Sequence, residues 1–307
     1  MSAIKNLVSE IVDYAGLFPP AKLPLDEVVD NYETYLSSDL AWMLGRLVLP
    51  IGKLAEFEQY ATFVHSQQHW KISALIPPIS DPGFDQAITT ITAFNSRQQA
   101  NNKAVVDNVE IKAPTVELVQ QTAESIPAEL VAFLELPHAD VPEDHIATIA
   151  TSKKPNLFAK IRTGGVTSKL IPSANQVANF IVACAKHDVG MKATAGLHHP
   201  IRGSYRLTYE NDPDFGTMFG FLNVFLAGCF AYAGNHETKF IESVLSETNS
   251  SKFKINSSGV VLDGVSVSAE QIKNIRSTKL STFGSCSFTE PTSELQQIGL
   301  INEQISN

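Results

Sequence analysis

Short runs of apolar and β-branched residues recur along the chain, separated by longer amphipathic stretches. That alternation predicts strands of a parallel sheet joined by helices. Eight runs qualify: Glu10–Ala15, Met43–Pro50, Lys71–Pro78, Val105–Pro114, Leu130–Pro137, Asn156–Gly164, Val189–Gly196 and Ser281–Ser287. Between them, Lys53–Gln68, Phe84–Arg97, Thr115–Ser125 and Ser173–His187 repeat apolar residues every three or four positions, as one face of a helix requires. Many runs end in proline or glycine, at Pro50, Pro77, Pro114, Pro137, Gly164 and Gly196, and these ends mark one rim. Eight such units predict an α/β fold of the (β/α)8 TIM barrel type, which needs about 250 residues. The 307 residues, 44% hydrophobic, are read as one barrel domain over 1–307 with an insertion at 203–279.

The insertion is inferred because the interval from Pro200 to Lys279 is too long for an ordinary helical return. Within it, Thr217–Ala233 reads as a buried helix and Phe253–Val267 as a hairpin turning near Ser257–Gly259 or Asp263–Gly264. Ser268 is placed to cap a helix through Arg276. The insertion leaves the rim where barrel enzymes build specificity, so it is expected to cover part of the mouth or to form a subunit contact. The tail from Pro291 reads as a last short helix.

Residues two apart on a strand share a face, and barrel active sites lie at the C-terminal strand ends. Glu110 with Lys112, Lys160 with Arg162, and Lys192 with Thr194 therefore share faces near one end, and Glu135 closes strand five. So many charges in one place are costly unless paired or used. One reading is a solvated ion-pair network. The other is chemical: two close lysines raise the cost of charging each other, so one amine becomes neutral and nucleophilic near neutral pH.

These segments resemble a known family. Phe158-Ala-Lys-Ile-Arg-Thr-Gly-Gly165 resembles the deoxyribose-phosphate aldolase strand whose lysine forms an imine with substrate. Val189-Gly-Met-Lys-Ala-Thr-Ala-Gly196, with Arg202 beyond it, resembles the following strand, where a second lysine tunes the first. Phe283-Gly-Ser-Cys-Ser287 is similar to that family's phosphate loop, and Val109-Glu-Ile-Lys-Ala-Pro114 to the strand bearing its catalytic aspartate. The resemblance implies a class I aldolase in which Lys160 attacks a small carbonyl substrate, Lys192 lowers its pKa and Glu110 moves protons. Arg162, Arg202, Ser285 and Ser287 would hold an anionic or hydroxylated part of that substrate. The chain departs from the family by having glutamate at 110, Leu197-His198-His199-Pro200-Ile201-Arg202 after strand seven, and the long insertion.

Other residues stay open to two readings. Asp13 either pairs with a cation at the mouth, or its segment plugs the barrel with Tyr14, Leu17 and Phe18. His198 and His199 either act in acid–base or metal chemistry with Glu110 and Glu135, giving a metal-dependent hydrolase or isomerase, or they hydrogen-bond within their loop. Cys286 reads as a small core thiol. A third possibility is a barrel that binds a metabolite or partner without catalysis. No cofactor is expected.

The balance of 23 basic to 32 acidic residues, net −9, works against nucleic-acid binding. Three widely spaced cysteines suggest reduced thiols, and no run is long enough to span a bilayer. The N-terminus lacks a secretion signal. A cytoplasmic enzyme with a small-molecule partner is expected, its oligomeric state open and a homo-oligomer compatible with it.

Overall fold

A computed structural model describes residues 2–137 and 142–301. Eight parallel strands close a barrel: β1 (Val12–Tyr14), β2 (Leu44–Pro50), β3 (Trp70–Leu75), β4 (Ala104–Lys112), β5 (Val131–Glu135), β6 (Leu157–Arg162), β7 (Met191–Thr194) and β8 (Leu280–Ser285). The order around the barrel is β1-β8-β7-β6-β5-β4-β3-β2. Five fall inside a run identified in the sequence, and β3, β4 and β8 each start one residue before theirs. Their interior faces and the surrounding helices form one continuous apolar core. Among the described residues, no helix is long and apolar enough to cross a membrane.

Some of the helices begin at side-chain caps. Thr115 accepts from the Leu118 N–H, and Ser173 and Ser268 form capping boxes with Gln176 and Gln271. The stretch expected to be one helix over Lys53–Gln68 is instead broken into Ile51–Lys53, Leu54–Phe57 and Ala61–His65. Phe57 and Phe63 both pack on Trp70, with ring centroids 5.5 and 5.7 Å away. Six residues along one helix would turn them about 120° apart, so the break lets both rings reach the same indole.

The insertion carries a mouth hairpin, a buried helix and a small sheet, with Thr238–Ser246 between the last two. Gly203–Arg206 and Phe215–Met218 pair as an antiparallel hairpin at the mouth. The helix expected from Thr217 starts only at Phe221, after Gly220, because Phe215–Met218 alternates exposed and buried side chains as a strand. That helix, Phe221–Tyr232, is apolar all round and is buried accordingly. Phe221 and Phe225 lie against Phe283 of β8, while Ala174–Lys186, Thr238–Ser246 and Ala269–Thr278 surround it. The hairpin expected over Phe253–Val267 is a three-stranded sheet, Lys254–Ile255, Gly259–Leu262 and Val265–Ser268, which uses both candidate turns.

Two glycines bring the loops after β6 and β7 together. A Cβ on Gly196, where φ is +73°, would lie 2.9 Å from the Gly164 Cα. Gly196→Ala should therefore cost about 1–3 kcal/mol in urea denaturation. Gly264, at φ +84° with nothing within 4 Å of a Cβ, isolates the backbone term. Equal losses for the two alanine variants would show that the contact between the loops is slack.

Candidate active site

The C-terminal ends of the strands open into a cavity of about 290 Å3. Val48, Leu75, Glu110, Lys160, Arg162, Thr194 and Gly284 line it from the strands, and Phe18, Pro19 and Pro20 from the loop after β1. Arg206, Leu207, Tyr209 and Met218 of the mouth hairpin close one side, so part of the insertion does cover the mouth.

Beneath this cavity lies a charged network built on strand register. Lys160 and Lys192 are direct partners across β6 and β7. Glu110 of β4 reaches both amines: Lys160 Nζ is 2.6 Å from Oε2 and Lys192 Nζ is 2.8 Å from Oε1. Lys160 also meets Glu135 at 2.8 Å, and Lys192 meets Asp13 at 2.5 Å. Ser73 donates to Glu110 at 3.1 Å, Thr282 to Asp13 at 2.5 Å, and the Arg46 backbone N–H to Asp13 at 2.7 Å. Lys192 Nζ also stands 4.8 Å from the centre of the Phe133 ring. Three carboxylates thus hold two ammonium groups. The lysines meet as expected, but a carboxylate separates them where direct repulsion was anticipated.

The electrostatics follow from that wiring. Burial works to raise the Glu110 carboxyl, but Lys160 and Lys192 outweigh it and hold it well below the usual carboxylate range. Burial likewise opposes the charge on Lys192, yet Asp13 and Glu110 prevail and raise it above an ordinary lysine. Lys192 is a fixed cation. Its side chain is wholly shielded from solvent, and of the two lysines Lys160 is the one that lines the cavity.

The remaining candidates divide. Thr194 lines the cavity, and its buried hydroxyl has no hydrogen-bond partner among the described residues. Arg162 stands exposed at the rim and lines the cavity. Both histidines also line it, turned to different carboxylates: His198 Nδ1 lies 3.2 Å from Glu290, and His199 Nδ1 lies 2.7 Å from Glu294 while its ring stacks on Tyr205. They do not converge with Glu110 and Glu135. Among the described residues, no three His, Cys, Asp or Glu side chains are arranged to hold a metal ion.

Lys112, Arg202, Ser285 and Ser287, expected to touch substrate, do not line the cavity, and neither does Glu135, which pairs with Lys160. Lys112 is exposed at the last residue of β4, outside the cavity lining, because the strand ends there. Arg202 lies over the Phe219 ring, 4.6 Å from its centre, with its backbone N–H on Asn223. Ser285 is turned to His198 at 3.3 Å, and Ser287 accepts from the Glu290 N–H in the first turn of the final helix. The serines of the phosphate-loop resemblance thus serve the protein's own groups, and the Glu290 carboxylate stands beside them. Asp13 takes the first of its readings, since it pairs with Lys192; of the residues expected to plug the barrel, Phe18 walls the cavity while Tyr14 and Leu17 do not line it.

Sequence reasoning missed Ser73, Thr282, Arg206, Tyr209 and Glu290. The first two share the inward parity of strand residues and were accessible to the same rule; the others lie outside the strands. No protein-family model and no curated protein matches the chain.

Proposed function

We propose that this barrel is a Schiff-base carbon–carbon lyase, similar in chemistry to deoxyribose-phosphate aldolase, acting on a small carbonyl compound. The observation that carries this reading is the asymmetry of the lysine pair: Lys160 faces the cavity, and Lys192 lies behind it as a buried, fully paired cation. A cavity of about 290 Å3 sits at the small end of the range for ligand sites, which suits a substrate of a few carbons. Arg162 and Arg206 offer charge at its rim, and Thr194 an unengaged hydroxyl.

Lys160 attacks the carbonyl after its ammonium proton leaves through Glu135, whose side chain is 15% exposed against 4% for Glu110. The neutral amine's attack leaves an ammonium–alkoxide adduct, from which Glu110 takes a nitrogen proton and passes it to the oxygen. Glu135 then gives the proton it holds to that hydroxyl, which departs as water while the nitrogen lone pair forms the C=N bond. The protonated imine restores a positive charge between Glu110 and Glu135, where the resting ammonium sat. The site is therefore preorganised for the cation that the reaction forms.

Incubating the protein with acetaldehyde, propanal, acetone or pyruvate and sodium borohydride should fix one carbonyl fragment per chain. Peptide mass mapping should place it on Lys160, and Lys160→Ala should abolish it. Equal labelling of wild type and Lys160→Ala would refute the proposal.

A further inference from the structure

The loop after β7 holds a histidine engaged through one nitrogen. His198 Nδ1 stands 3.2 Å from Glu290 Oε2, 3.3 Å from Ser285 Oγ and 4.0 Å from Cys286 Sγ. Glu290 is held in turn by the Tyr209 hydroxyl, which donates to Oε2 at 2.6 Å. The other ring nitrogen, Nε2, has no hydrogen-bond partner among the described residues. His198 is 8% exposed and lines the cavity that Lys160 lines. A carboxylate on one imidazole nitrogen fixes the ring and leaves the other nitrogen to exchange protons.

We infer that His198 is the catalytic acid–base that moves protons on the substrate's carbon and oxygen, with Glu290 and Tyr209 as its positioning residues. The inference rests on the Schiff-base reading of Lys160. Glu110 is badly suited to the task, because two ammonium groups already occupy its oxygens. In the step assigned to His198, the Nε2 lone pair takes a proton from the carbon next to the iminium. The C–H electrons form the carbon–carbon double bond, and the C=N π pair moves to nitrogen, which leaves a neutral enamine and an imidazolium. When the enamine carbon attacks an aldehyde, the carbonyl π pair moves to oxygen, and the imidazolium returns its proton there. The ring ends neutral.

The charged and titratable groups around the ring come from several elements. Cys286 follows β8, Glu290 and Glu294 lie on the final helix, Tyr209 comes from the mouth hairpin and His199 is adjacent. Lys160, Arg162 and Arg206 line the same cavity. Burial works to lower the imidazole, but Cys286 and Glu290 outweigh it and push it up to about 9. At neutral pH the ring is therefore mostly protonated, and the base form grows as pH rises.

The test follows deuterium entering the α-carbon of acetone or propanal in D2O by proton NMR, alongside borohydride trapping of the same samples. His198→Gln should keep trapping within a few-fold while exchange falls at least about a hundredfold, the usual effect of losing a general acid–base group. Glu290→Gln should keep exchange but move its pH midpoint downward, because the carboxylate that raises the ring is gone. Trapping with undiminished exchange in His198→Gln would overturn the role of His198 alone. An unmoved midpoint in Glu290→Gln would overturn the positioning role. Wild-type protein that is trapped by none of the four carbonyl probes would overturn the Schiff-base reading, and this inference with it.

Discussion

Asp13→Ala should lower the unfolding free energy by about 3–5 kcal/mol, the range for removing one member of a buried ion pair. The Asp13 side chain is wholly buried and accepts from Lys192, Thr282 and the Arg46 backbone N–H. Alanine would leave the lysine on Glu110 alone, with a hydroxyl and an amide unsatisfied beside it. Even the backbone has been shaped to this carboxylate, since a Cβ on Gly45 would lie 2.3 Å from Asp13 Oδ1. Asp13→Asn keeps the shape and loses only the charge, so it should cost less. Urea denaturation of both variants measures this, and a loss below about 1 kcal/mol for alanine would mean that the network repairs itself around the gap.

Acid should act on the same network through Glu110. Its folded carboxyl is depressed below the ordinary value of 4.5, so the stability that it contributes is fully present above that pH. That contribution is lost as pH falls through the depressed folded value.

The barrel was legible because each strand is a short apolar run between amphipathic stretches, and the inward residues followed from two-residue parity. Parity also predicted that Lys160 and Lys192 meet, since they stand one strand–helix unit apart and the register pairs them directly. It could not predict how far a side chain reaches. Glu110, on β4, extends to amines on both β6 and β7 and replaces the anticipated repulsion with pairing. Lys112 has the same parity as Glu110 but sits where the strand ends, so the rule misplaced it at the site. The break between Phe57 and Phe63 needed knowledge of Trp70, a tertiary partner. Tyr209 and Glu290 lie beyond the strands, so parity gave no hint of their meeting. The serines at 285 and 287 followed the phosphate-loop pattern, while the fold turned them to a histidine and a helix end.

Lys192→Met should leave Lys160 in place yet move borohydride trapping to higher pH. Methionine keeps much of the stem but removes the positive charge that stands 4.8 Å from the centre of the Phe133 ring, leaving three carboxylates around a single ammonium. Among the described residues, Lys160 is then the only ammonium paired with Glu110 and Glu135, and the proposed attack needs its neutral amine. Each unit by which the half-maximal pH of trapping rises lowers the neutral fraction at pH 7 about tenfold, so a large loss of rate at neutral pH should be recovered in alkali. Asp13→Asn should move the midpoint the other way, because it removes negative charge from the same network. The double variant restores the excess of one carboxylate over ammonium groups and should return the midpoint toward wild type, a compensation that a purely steric role for Lys192 would not produce. If Lys192→Met traps carbonyl compounds with the wild-type pH profile, the buried lysine only packs the barrel.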